Sequence, residues 1–144
     1  MTLTVDDRGW TPASCHCGAV RFRVRLAEGL DSARRCDCSL CRMRGAVAVS
    51  ASLDDIEILA GAGTLAEYRF NTGVARHFFC SHCGIYTHHQ RRSNPGQYGV
   101  NAACLEDVSP FDFAEVPVND GRNHPSDGGG GGMIGVLRFE SIRD

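Results

Sequence analysis

Seven of the eight cysteines in this 144-residue chain fall into three tight groups. They are Cys15/Cys17, Cys36/Cys38/Cys41 and Cys80/Cys83. Zinc binds thiolate at about 2.3 Å in tetrahedral geometry, and ligands one or two residues apart can reach one ion together. Cysteines one residue apart are badly placed to bridge each other but chelate a metal readily. Cys80-Ser81-His82-Cys83-Gly84 has the pattern of a zinc knuckle, and Cys15-His16-Cys17-Gly18 repeats it with a tighter gap. Together the three groups predict a metal-binding protein.

How the groups combine decides the chemistry. Cys15 and Cys17 can join Cys80 and Cys83 in a closed four-sulfur site that clamps distant segments together. Cys36, Cys38 and Cys41 are then left as three ligands with an open position. Alternatively Cys15/Cys17 pairs with Cys36/Cys38 and leaves an odd remainder. Spacing does not separate the two, but symmetry favours the first, since both outer pairs are knuckles followed by glycine. A closed site is structural, whereas a three-ligand site with a vacancy suits catalysis or substrate capture. Cys104, His77, His88 or His89 could instead complete a second structural site, although Cys104 also fits as a buried small hydrophobe. His88 and His89 are adjacent on an expected strand, so only one can face a given site.

The elements that must carry these residues read as mainly β. From Ala19 to Leu26 the apolar Val20, Phe22, Val24 and Leu26 alternate with Arg21, Arg23 and Arg25, which predicts a half-buried strand with a solvated arginine face. Further short strands are expected within 45–53, 56–59, 67–70, 77–80, 85–90, 98–105 and 136–139, with turns at Asn71-Thr72-Gly73 and Ser93-Asn94-Pro95-Gly96. Residues 1–14 read as a polar lead-in, 110–125 as irregular chain with Phe111 and Phe113 as anchors, and Gly128 to Gly132 as a flexible surface loop. That glycine run is not a phosphate loop, because no Gly-Lys-Ser/Thr follows it. No long stretch has a 3.6-residue apolar period, so at most a turn or two of helix is expected. The whole chain, 1–144, reads as a single domain.

Composition narrows the function classes. Fifteen basic and 17 acidic residues give a net charge of −2, which offers no electrostatic reason for a nucleic-acid partner. No apolar run approaches the roughly 20 residues that span a bilayer. The N-terminal residues have neither a positive nor an apolar region of the secretory kind, so a cytoplasmic protein is expected. Eight cysteines in that setting point to metal or catalytic use rather than a disulfide scaffold.

Three runs resemble a known family: Ser14-Cys15-His16-Cys17-Gly18-Ala19-Val20-Arg21-Phe22, Arg35-Cys36-Asp37-Cys38-Ser39-Leu40-Cys41-Arg42 and Phe79-Cys80-Ser81-His82-Cys83-Gly84. In order and spacing, over residues 13–105, they are similar to the glutathione-dependent formaldehyde-activating enzyme family, which includes centromere protein V. The resemblance implies an all-β, tent-like fold of packed antiparallel sheets. It implies two zinc ions per chain, a structural one on Cys15, Cys17, Cys80 and Cys83 and one with an open position on Cys36, Cys38 and Cys41. The implied activity is condensation of glutathione with formaldehyde to S-(hydroxymethyl)glutathione, a carbon–sulfur lyase reaction with Cys36, Cys38 and Cys41 at its centre. Zinc held there would lower the pKa of an incoming small thiol and present it as a nucleophile. Three thiolates already neutralise the ion, which favours thiolate delivery over hydrolysis. Arg42, Arg44, Arg91 and Arg92 could pair with the carboxylates of a glutathione-like tripeptide. Two other readings differ in class. One is a non-catalytic, zinc-stabilised binding module with two structural metals. The other is a thiol redox protein, which the absence of a βαβ pattern around Cys80–Cys83 argues against.

Overall fold

The computed structural model describes residues 3–143 and is mainly β, with one short α-helix and five 3-10 turns. Three sheets carry eleven strands. The first joins β1 (Thr11–Ser14), β2 (Arg21–Val24) and β5 (Ile56–Ala60) in antiparallel order. The second has β4 (Ala48–Ser52), β6 (Leu65–Tyr68), β7 (Arg76–Cys80), β8 (Tyr86–Gln90) and β9 (Gln97–Asn101) in the antiparallel order β4-β9-β8-β7-β6. The third packs β3 (Arg35–Cys36), β10 (Glu115–Asn119) and β11 (Met133–Arg138). Among the described residues, no helix is long and apolar enough to cross a membrane.

The alternation in β2 works as the pattern requires. Val20, Phe22 and Val24 are buried and pack with Val49, Ala51 and Val100 of the larger sheet, so the core lies between the first two sheets. The arginine face of β2 differs from expectation. Arg23 pairs with Glu57 and Arg25 with Asp55 on and beside β5, and both guanidinium groups lie over Trp10, at 4.3 and 4.2 Å from its ring centre. The arginines therefore cover a buried tryptophan. This also explains why the N-terminal lead-in is ordered enough to start β1, which its polar sequence did not suggest.

Two further expectations are corrected. Residues 115–119 lie in a strand, not in irregular chain, and Val116 is buried. Pro117 is tolerated there because β3 pairs only with Val118 and Asn119, so no neighbour on that side needs a hydrogen bond from position 117. That β3–β10 pairing is parallel, an exception to the otherwise antiparallel sheets, and it sets Asn119 beside Cys36. The single α-helix among the described residues, α1 (Ser39–Arg44), starts within the three-cysteine run. The Cys38 sulfur caps it by accepting from the Cys41 backbone N–H, and Gly45 ends it in the left-handed conformation (φ 71°).

Candidate functional site

The outer cysteines come together from two turns. Cys15 and Cys17 sit in the turn between β1 and β2, while Cys80 ends β7 and Cys83 lies in the turn to β8. All four sulfurs lie within 4.8 Å of one another. The Cys15–Cys17 and Cys17–Cys80 sulfur distances are both 3.7 Å. Sulfurs about 2.3 Å from one tetrahedral zinc would stand about 3.8 Å apart, so this group has the dimensions of a four-sulfur zinc site. The Val20 backbone N–H points at the Cys15 sulfur (3.3 Å). Backbone N–H groups of Cys17 and Ile85 lower the Cys83 thiol to about 6. Both arrangements favour thiolate, the form that binds metal.

The inner cysteines form a separate group. Cys36 ends β3, Cys38 caps α1 and Cys41 lies in its first turn, and their sulfurs also lie within 4.8 Å of one another. Among the described residues no histidine, carboxylate or fourth sulfur joins them. Backbone N–H groups of Cys38 and Cys41 point at the sulfurs of Cys36 and Cys38, at 3.4 and 3.3 Å. Hydrogen bonds from the Cys36 and Cys41 thiols hold the Cys38 thiol well below its usual range, and the same sharing pushes Cys41 up. Three sulfurs this close carry only one negative charge comfortably unless a cation sits among them. The donor set and its N–H partners therefore fit a zinc ion held by three thiolates. Gly121 completes the nest: a Cβ there would fall 2.3 Å from the Cys36 sulfur and 2.7 Å from Cys38 Cβ, so only glycine allows this approach.

The inner group opens onto a cavity of about 680 Å³, within the size range of small-molecule sites. Its wall beneath the sulfurs is a polar network. Arg44 lies with its guanidinium carbon 3.7 Å from the Tyr86 ring centre, its Nη1 3.0 Å from His77 Nδ1 and its Nη2 donating to the Cys41 sulfur at 3.5 Å. The Tyr86 hydroxyl lies 2.5 Å from His89 Nδ1, and His77 and His89 stack with ring centres 5.0 Å apart. Burial and the Arg44 charge lower His77 to about 4, and the same causes hold His89 well below its usual range, so both rings are neutral at pH 7. Gly99 makes room for His89, whose Cε1 lies 2.4 Å from where a Cβ would stand.

The expected division of the two neighbouring histidines holds. His89 faces the cavity, whereas His88 turns to the core, stacked on Phe78 at 4.6 Å and near Phe22. Cys104 lies in neither sulfur group; it is buried against the Tyr86 carbonyl, and burial pushes its thiol up to about 12. It is a core residue.

Seven arginines and two aspartates line the cavity, which is therefore strongly cationic. The four arginines singled out from the sequence are all present, but three are engaged. Arg44 belongs to the network above, Arg91 donates to Gln97, and Arg92 pairs with Asp127. Arg42 has no carboxylate partner among the described residues, nor do Arg35 and Arg122, which also line the cavity. Sequence reasoning missed Tyr86, Gly121 and Arg122 as site residues. Arg35 carried a weak signal by adjoining Cys36; Arg122 carried none.

Residues 11–116 match the model of the family described as glutathione-dependent formaldehyde-activating enzyme. A protein of Halomonas elongata that carries the family's name is 38% identical over 78 residues, which cover 49% of each chain. The chain thus spans about half the length of that curated relative. A crystal structure of a Rhodobacter sphaeroides protein is similar at 57% identity and a TM-score of 0.73, covering 74% of this chain and 98% of that one. With the family model matched over most of its length, including both sulfur groups, this chain belongs to the glutathione-dependent formaldehyde-activating enzyme family.

Proposed function

We propose that the chain is a zinc-dependent enzyme of carbon–sulfur lyase type that joins a glutathione-like thiol to a small aldehyde, formaldehyde in the family's case. The observation that carries this reading is the contrast between the sulfur groups. The outer four are the right number to close a tetrahedral site, and two of them are core residues. The inner three open onto a cationic cavity. We assign Cys15, Cys17, Cys80 and Cys83 to a structural zinc, and Cys36, Cys38 and Cys41 to a second zinc at the reaction centre. The described residues act as one catalytic domain, and eight unpaired cysteines support a reducing, cytoplasmic setting.

In the reaction the thiol S–H and the carbonyl π bond break, a sulfur–carbon bond forms, and the oxygen takes the proton, which leaves a hydroxymethyl group on the sulfur. Cys36, Cys38 and Cys41 would hold the zinc, which would supply the positive charge that favours the incoming sulfur as thiolate. The chain's own residues do the rest. Guanidinium groups of the lining that have no carboxylate partner attract the carboxylates of the thiol and orient its sulfur inward. Arg44, fixed on Tyr86 and His77, donates to the Cys41 sulfur and holds the ligand in place. Neutral His77 and His89 keep the inner wall free of further positive charge.

Exchange NMR of glutathione with formaldehyde tests this reading. The zinc-loaded protein should speed interconversion of glutathione and its S-hydroxymethyl adduct, and Cys38→Ser should abolish the effect with the fold intact. A folded protein with both metals bound and no acceleration would refute it, and would favour a binding module.

A further inference from the structure

The family match ends at residue 116, yet the residues beyond it build one wall of the cavity. β10 runs on through Asn119 beside Cys36, and the chain then turns across the inner sulfurs. The Asp37 carboxylate, between two of the inner cysteines, accepts from the backbone N–H groups of Gly121 (2.8 Å) and Arg122 (3.3 Å). Asp120 caps the same turn, accepting from the N–H groups of Arg122 and Asn123. Farther on, Asp127 pairs with Arg92, itself only 18% exposed, which ties the segment to the region between β8 and β9. Gly131, Gly132 and Met133 then line the cavity on the way into β11.

The turn is thus held by backbone bonds, and the Arg122 side chain is left over. It lines the cavity with no carboxylate partner among the described residues, as do Arg35 from β3 and Arg42 from α1. Arg34, Arg44 and Arg91 of the same lining are occupied by hydrogen bonds, which leaves three guanidinium groups from three separate parts of the chain without a salt-bridge partner around one small cavity. Like charges gathered this way are unfavourable until an anion arrives. A ligand with more than one carboxylate, carrying a sulfur that reaches inward, complements them.

We propose that residues 117–132, beyond the segment that matches the family model, form a specificity wall, and that Arg122 binds a carboxylate of the thiol substrate. The inference rests on the thiol-enzyme reading above, and it locates part of the substrate recognition beyond the segment that matches the family model.

The test is calorimetric binding of S-methylglutathione to the zinc-loaded protein. This thioether keeps both carboxylates but has no thiol to ionise, so its affinity reports the anchoring residues alone. Arg122→Gln should weaken binding about tenfold, and Arg122→Lys should recover part of the loss. The diethyl ester of the same ligand, which lacks carboxylate charge, should bind wild type weakly and be indifferent to Arg122→Gln. Equal affinity of wild type and Arg122→Gln for S-methylglutathione overturns the inference while leaving the thiol-enzyme reading standing. Failure of wild type to bind either glutathione or S-methylglutathione overturns both. Zinc content and thermal melting of Arg122→Gln should match wild type, since only the backbone of residue 122 supports the turn.

Discussion

Cys80→Ser and Cys38→Ser should behave very differently, although each removes one sulfur from one group. Cys80 is fully buried within the main core, at the end of β7 opposite Leu65. Its group joins the β1–β2 turn to the β7–β8 turn, across the 62 residues between Cys17 and Cys80. A structural zinc contributes about 10–16 kcal/mol in small domains. The whole stability of a domain is about 5–15 kcal/mol. Losing the outer zinc therefore removes roughly everything that keeps the fold, and Cys80→Ser should be unfolded or molten at 25 °C.

The inner group spans only Cys36 to Cys41, so its metal constrains one strand end and one turn of helix. Serine is itself a preferred helix N-cap, so Cys38→Ser keeps an acceptor for the Cys41 N–H. The expected loss is about 1–2 kcal/mol, a fall in Tm of roughly 5 °C for a chain of this size. Circular dichroism melts with zinc analysis by mass spectrometry read both variants. Cys38→Ser should melt cooperatively and carry one zinc, and Cys80→Ser should show no cooperative transition. If the two lose stability equally, or if Cys80→Ser stays folded, the assignment of structural and open sites is wrong.

Three further perturbations bear on the inner site. Gly121→Ala puts a methyl 2.3 Å from the Cys36 sulfur and should halve the zinc content while the far-ultraviolet spectrum stays native. Arg44→Gln removes the donor to Cys41 and the partner of His77, and competition with a zinc indicator should show the inner metal bound about 10–100-fold more weakly. Stability should also fall in mild acid. Burial holds His77 and His88 near 4 in the folded chain, below the ordinary 6.5, so between these values the unfolded chain binds more protons and stability drops as pH falls. Each histidine adds at most about 1.4 kcal/mol per pH unit there. Denaturant melts of His88→Phe, which keeps the stack on Phe78, should show a shallower slope from pH 6.5 to 5 than wild type.

The mainly β fold and the spatial grouping of the cysteines were both legible in the sequence. Cysteine spacing is a local pattern, and the three groups assort in space as symmetry between the knuckles suggested. Strands with strict alternation, β2 above all, were equally readable, as was the opposite facing of His88 and His89 on β8. What escaped were features fixed by distant partners. β1 depends on Trp10 lying under Arg23 of β2 and Arg25 just beyond it, and β10 carries a proline that only its one-sided pairing makes acceptable. The approach of Gly121 to Cys36 joins residues 85 apart, and the β3–β10 pairing that produces it involves two residue pairs. Arg122 looks like any surface arginine in sequence. Its place at the cavity follows from a turn anchored on Asp37, which no periodicity encodes.

Zinc release by a chelator, followed with and without glutathione, tests the central claim most directly. Two zinc ions per chain should leave in two phases. The faster ion should depart with circular dichroism unchanged, the slower one only as the fold is lost. Saturating glutathione should slow the first phase alone, because a tripeptide bound in the cavity onto which Cys36, Cys38 and Cys41 open would cover them. Release of both ions in a single phase that tracks unfolding, with glutathione without effect, would contradict the account.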